Sequence, residues 1–122
     1  MKKYSFSDIR LKTRRLFLKV QTEGGRKESP SFVIYIYDLL EKKTEKPDFK
    51  FGIIVKRDTG KAVQRNRIKR LIREFFRLNR DNIKPQKLFI IKPKKICGKI
   101  NYMRVENELK KLFIKNNIFK SN

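Results

Sequence analysis

Histidine is absent from the 122 residues, and cysteine occurs once, at Cys97. Without histidine the usual zinc-binding sets and every Cys–His or Ser–His nucleophile pair are excluded. With one cysteine there is no internal disulfide, and Cys97 reads as a small, partly buried residue rather than a reactive thiol. Acids are scarce as well: the 12 Asp and Glu are scattered singly, with no paired arrangement. No catalytic residue and no metal site is therefore expected in the chain, nor a small-molecule substrate. No apolar run approaches the roughly 18 residues that a membrane span requires. The opening stretch Met-Lys-Lys-Tyr-Ser-Phe-Ser-Asp lacks the apolar core of a signal peptide. The expected location is the cytoplasm, with no membrane partner.

Positive charge is abundant. Thirty-four Lys and Arg leave a formal net charge of +22, which is self-repelling at this size unless a polyanion is close by. Nucleic acid is the partner that this balance implies. Hydrophobic residues at 39% and ten Phe in patterned stretches argue against disorder. A chain of this length forms one domain, residues 1–122, burying about 65% of its unfolded surface. The ends, 1–9 and 117–122, are expected to be loosely ordered.

Along the chain, Thr13 to Gln21 places Leu16, Phe17 and Val20 on one helical stripe, with Thr13 as N-cap and Gly24-Gly25 as the stop. From Phe32 to Tyr37 a β-rich run sends Phe32, Ile34 and Ile36 to one face and Val33, Tyr35 and Tyr37 to the other. Residues 38–48 are charge-mixed and read as an exposed, mobile loop. Phe51 to Val55 and Leu88 to Ile91 are further strands, and Asn101 to Lys115 a final helix with Val105, Leu109, Leu112 and Phe113 in register. The expected architecture is a single-domain α/β sandwich of order αβββαβα. Its helices are expected on one face of a central sheet, with the other face partly open.

The segment from Lys61 to about Asn79 carries the longest helical pattern. At 100° per residue, Ile68, Leu71, Ile72, Phe75, Phe76 and Leu78 share an apolar arc. Asn66, Lys69, Arg70, Arg73 and Arg77 share another. Solvated helix faces ordinarily mix Glu with Lys for i,i+4 pairing, whereas Glu74 is the sole acid between Gly60 and Arg80. The uncompensated stripe points to phosphate contact, and Arg suits bidentate phosphate contacts and base stacking. Gly60 is expected to supply backbone freedom at the helix entry.

The run Gly60-Lys61-Ala62-Val63-Gln64-Arg65-Asn66-Arg67-Ile68-Lys69-Arg70-Leu71-Ile72-Arg73-Glu74 closely resembles the Arg-Asn-Arg helix of the bacterial ribonuclease P protein family. Arg10-Leu11, Phe17, Val20, Gly24 and Phe32-Val33-Ile34-Tyr35 resemble the family's amino-terminal half in order and spacing. The resemblance implies a noncatalytic subunit bound to a catalytic ribonuclease P RNA. That holoenzyme removes 5′ leaders from precursor tRNA with Mg2+, a cofactor of the holoenzyme and not of the protein. It also implies contacts to the RNA subunit from Lys61, Arg65, Asn66, Arg67, Lys69, Arg70, Arg73 and Arg77. Phe17, Val20 and Tyr35 would line a cleft for the precursor's single-stranded leader, where aromatic groups stack on unpaired bases. A left-handed βαβ crossover, against the usual handedness, is a further implication. Departures from the family pattern stand at Gln21, where a second aromatic is common, and at Asp58, an acid in a turn that is usually basic.

Other classes fit less well. A self-sufficient nuclease needs clustered carboxylates or a histidine base. A helix-turn-helix DNA reader needs a second helix across a short turn, but Lys61–Asn79 is flanked by strands. A basic module of another ribonucleoprotein, such as the ribosome, is separated from the first reading only by the Arg-Asn-Arg helix and the Phe17 to Tyr35 spacing.

Overall fold

The computed structural model describes residues 9–39, 49–96 and 98–120. Cys97 and residues 40–48 lie outside this set, and so do the expectations attached to them. Along the described chain run α1 (Arg14–Glu23), β1 (Gly25–Glu28), β2 (Phe32–Asp38), β3 (Phe49–Ile53), α2 (Ala62–Leu78), β4 (Lys87–Pro93) and α3 (Tyr102–Lys115). The order αβββαβα is the one expected. The helix boundaries fall where capping chemistry puts them: Thr13 Oγ1 accepts from Leu16 N at 3.2 Å, and Asn101 Oδ1 accepts from Arg104 N at 3.0 Å. At the end of α1 the chain doubles back so closely that a side chain on Gly24 would begin 2.5 Å from the Val20 carbonyl oxygen.

The strands form one mixed sheet in the order β1-β2-β4-β3, antiparallel except for the parallel pair β3–β4. Alternation along β2 and β4 divides the core in two. Phe32, Ile34, Phe89 and Ile91 pack with Ile68, Ile72, Phe75 and Phe76 of α2 and Val105, Leu109 and Phe113 of α3. Leu88 and Ile90, on the other face, pack with Leu11, Leu16, Phe17, Val20, Tyr35 and Tyr37. The expectation of helices on one face is corrected here: α2 and α3 share a face and α1 lies on the opposite one. Helical periodicity shows that a stripe is buried but not which side of the sheet receives it.

The β3–α2–β4 crossover is left-handed. Ile91 turns its side chain toward α2 and α3, while its carbonyl accepts from Ile54 N on the β3 side at 3.0 Å. For an L-residue those two directions fix on which side of β4 the parallel strand lies once the helix face is given. Here they place β3 on the side that winds the connection left-handed, against the general preference.

Ile9 and residues 117–120, expected to be loosely ordered, are tied to the fold. Ile9 is buried, and Leu11 N donates to the Phe51 carbonyl at 2.8 Å, extending the β3 edge. After α3, Ile118 is buried and Phe119 bridges to Ile83, so residues 117–120 form a strap across the start of the β4 segment. Leu78, assigned to the apolar arc of α2, is 55% exposed, because the last turn of the helix runs past the edge of the core.

A polar clamp ties the β1–β2 connection to α3. Glu108 accepts from Ser29 Oγ at 2.7 Å and from the Ser31 N–H and hydroxyl, both at 2.8 Å, and Arg104 donates to it. Burial pushes the Glu108 carboxyl upward, but these donors outweigh it and leave the pKa below its ordinary value. A depressed carboxylate contributes stability above its unfolded pKa, and that contribution is lost as pH falls through the lower folded value. Glu108→Ala is expected to cost about 2 kcal/mol at pH 7. The wild-type advantage in urea unfolding should shrink as the pH is taken below 4.5, the ordinary carboxyl value.

Candidate nucleic-acid interface

Phe17 stands over β3. Its ring occupies the space above Gly52, where an added Cβ would lie 2.4 Å from the ring's Cζ. The register explains why the ring reaches this point. Arg26, Tyr35, Ile90 and Gly52 are successive partners across β1, β2, β4 and β3. Phe17 and Tyr35 therefore stand on one row of the sheet about 10 Å apart, two strand spacings, on the α1 face. Ile90, between them, is fully buried, and Tyr35 remains half-buried.

Beside Phe17 opens a cleft of about 500 Å³, lined by Arg10, Leu11, Lys12, Phe17, Phe51, Gly52, Ile53, Lys69 and Arg73. It brings together an aromatic edge and four cations from two distant stretches of sequence. Among the described residues no acid pairs with Lys69, Arg70 or Arg73, and Arg70 and Arg73 are exposed. Such a concave, cationic, part-aromatic surface suits a flexible polyanion that can also stack.

The site residues anticipated from sequence separate into groups. Val20 is fully buried beneath α1, in the same cluster as Phe17, and is not among the residues that line this cleft. Tyr35 shares the face but lies outside the cleft lining. On α2, Lys69 and Arg73 line the cleft, while exposed Asn66 and Arg70 project outside it.

Three arginines are already engaged within the protein. Arg65 Nη1 donates to the Gly60 carbonyl at 2.8 Å, bracing the turn before the helix. Arg67 Nε donates to the Ile100 carbonyl at 3.1 Å, tying α2 to the approach to α3. Arg77 pairs with Glu74, which raises the guanidinium pKa and lowers that of the carboxyl. Arg77 is thus the partner of the sole acid on the helix. Lys61 is exposed at the helix start, its backbone N–H donating to Gln64 Oε1 at 2.8 Å.

Gly60 departs from its expected role. Its φ of 168° is extended backbone open to any residue; the constraint is that a Cβ would lie 2.7 Å from Gln64 Oε1. Arg10, Lys12 and Gly52 were not singled out as site residues from sequence. A lone glycine inside an apolar strand pattern is the signal that could have found Gly52, since it marks close contact with another group. Gly52→Ala is expected to push the Phe17 ring off β3 into the cleft. Tryptic cutting within α1 should become faster while cutting in α2 stays unchanged.

Fold and surface together define a small basic α/β protein with a cationic, part-aromatic cleft. Residues 7–117 match the ribonuclease P family model. The chain is 37% identical over 116 residues to the ribonuclease P protein component of Desulforapulum autotrophicum, covering 94% of this chain and 95% of that one. It is 39% identical over 114 residues to that of Dictyoglomus turgidum, 91% of each. Among solved structures, the RNase P protein from Thermotoga maritima superposes with a TM-score of 0.72 at 31% identity, over 87% of this chain and 96% of that one. The Staphylococcus aureus RNase P protein gives 0.77 at 27% identity, over 92% and 98%. The chain belongs to the ribonuclease P protein component family, the protein partner of ribonuclease P RNA in tRNA processing.

Proposed function

We propose that this protein binds the catalytic ribonuclease P RNA through the exposed cations of α2 and holds the 5′ leader of precursor tRNA along the face that carries Phe17 and Tyr35. The observation that carries this reading is the cleft in which Phe17 meets Lys69 and Arg73. A single-stranded leader offers both phosphates and unstacked bases, and the cleft offers a partner for each. Arg65 and Arg67 act in part by fixing α2 in place, so that Asn66 and Arg70 present a rigid edge to the RNA subunit. The net charge of +22 lowers the repulsion between two RNAs and with it the Mg2+ that leader removal requires.

Among the described residues no group of three or more His, Cys, Asp or Glu is placed to hold a metal ion. In this reading the metal and the hydrolysis belong to the RNA. No helix of the described residues is long and apolar enough to cross a membrane, and the proposed place of action is the cytoplasm.

The test is 5′ cleavage of precursor tRNA at low Mg2+ by a bacterial ribonuclease P RNA, with and without the protein, and by the protein alone. Stimulation only when that RNA is present is expected. No stimulation would favour another ribonucleoprotein, and cleavage by the protein alone would overturn the noncatalytic role.

A further inference from the structure

Beyond Ile90 on β4, the next residue on the α1 face is Lys92, the partner of Val33 in the register. It lies about 6.6 Å along the strand, two residues on from the row that holds Tyr35 and Gly52. Lys92 differs in its pairing from Lys87 on the same strand and from Lys94 just beyond its end. Lys87 is paired with Asp38 and Lys94 with Glu28. Lys92 has no acidic partner among the described residues. It is half-buried. Ile54, beside it on the α1 face, donates its N–H to the Ile91 carbonyl at 3.0 Å, and Lys56, two residues further along extended chain, comes to the same side.

The charges that act on Lys92 are Lys56, Arg26 and Asp58, of which only Asp58 is negative. Glu28, the acid nearest on β1, is held by both Arg26 and Lys94. Lys56, then burial, then Arg26 push the Lys92 ammonium below its ordinary pKa. Two lysines brought to one face, with Asp58 the sole acid acting on Lys92 and Glu28 already held by Arg26 and Lys94, are an arrangement that a bound anion would relieve.

We propose that Lys92, with Lys56 and Arg26, forms a phosphate-binding subsite for single-stranded RNA, one step along the sheet from the Tyr35 row. The inference rests on the leader reading above and extends it to a defined phosphate. Tyr35 takes the face of a base while Lys92 and Lys56 take the phosphodiester beside it. Arg26 serves both, because it lies against the Tyr35 side chain as well as near Lys92.

The experiment uses the holoenzyme reconstituted with a bacterial ribonuclease P RNA. Precursor tRNAs carry one neutral methylphosphonate at each leader position in turn, and affinity is measured for wild type, Lys92→Met, Lys92→Arg and Tyr35→Ala, with mature tRNA as control. Lys92→Met should lower the salt slope of precursor binding by about one unit. One leader position should weaken wild-type binding when neutralised and become silent in Lys92→Met, while Lys92→Arg retains the wild-type profile. Mature tRNA should bind all four proteins alike. Lys92→Met should also melt at or above the wild-type temperature, since it removes a like charge beside Lys56.

An unchanged slope, or the same methylphosphonate profile in wild type and Lys92→Met, overturns the subsite. Tyr35→Ala separates this failure from that of the leader reading. If it still weakens precursor more than mature tRNA, only the subsite falls; if it weakens both equally, the leader reading falls and the subsite with it.

Discussion

Phe76→Ala is expected to destabilise the protein by about 4 kcal/mol, the upper part of the range for a fully buried aromatic truncated to alanine. Phe76 is the hub of the aromatic core. Its ring stacks on Phe51 at 3.9 Å and lies 5.6 to 5.9 Å from the rings of Phe49, Phe75, Phe89 and Phe113. Those neighbours belong to β3, α2, β4 and α3, so the cavity would open where four elements meet and none could close it without moving the others. Against a total stability of about 5–15 kcal/mol for a domain, the loss is large. It should appear in thermal unfolding as a drop on the order of 15 °C. Phe76→Leu, which keeps most of the volume, should lose less than half as much. RNA affinity at 10 °C, where the folded form still predominates, should change little for either variant. A drop of only a few degrees for Phe76→Ala would mean that the ring cluster is not the centre of the fold.

Phe76 also shows what could be read from the sequence. Its place on the buried arc with Ile68, Ile72 and Phe75 follows from period alone, because a long helix with a wide apolar face has one way to meet a sheet. The two faces of β2 were likewise legible from alternation. β1 was not located, since Gly25-Arg26-Lys27-Glu28 is exposed throughout and a strand with no buried face leaves no alternation to read. The side of the sheet taken by α1 was also hidden, because a stripe of Leu16, Phe17 and Val20 fits either face. Depth was hidden for the same reason: Phe17 and Val20 share a stripe, yet Val20 is buried and Phe17 borders a cleft. On α2 the cationic stripe was legible as a stripe. Its division into engaged and unengaged arginines depended on Gly60 and Ile100, carbonyls outside the helix, and on where α1 placed Phe17.

That division leads to the second large effect, the double substitution Lys69→Ala/Arg73→Ala. Both side chains line the Phe17 cleft and neither has an acidic partner among the described residues, so their full charge is available to RNA. Their loss should lower the salt slope of precursor tRNA binding by about two units, equal to about a 100-fold change in affinity per tenfold change in salt. Arg70 lies outside the cleft on the same helix, and Arg70→Ala should behave differently. It should weaken binding of the ribonuclease P RNA alone while leaving the ratio of precursor to mature tRNA affinity intact. The double variant should reduce that ratio. Melting temperatures should stay close to wild type in both cases, because removing these cations relieves like-charge repulsion on the helix. If the double variant weakens precursor and mature tRNA equally, then Lys69 and Arg73 serve the RNA subunit, as the family resemblance implies, and the cleft beside Phe17 is not the leader's path.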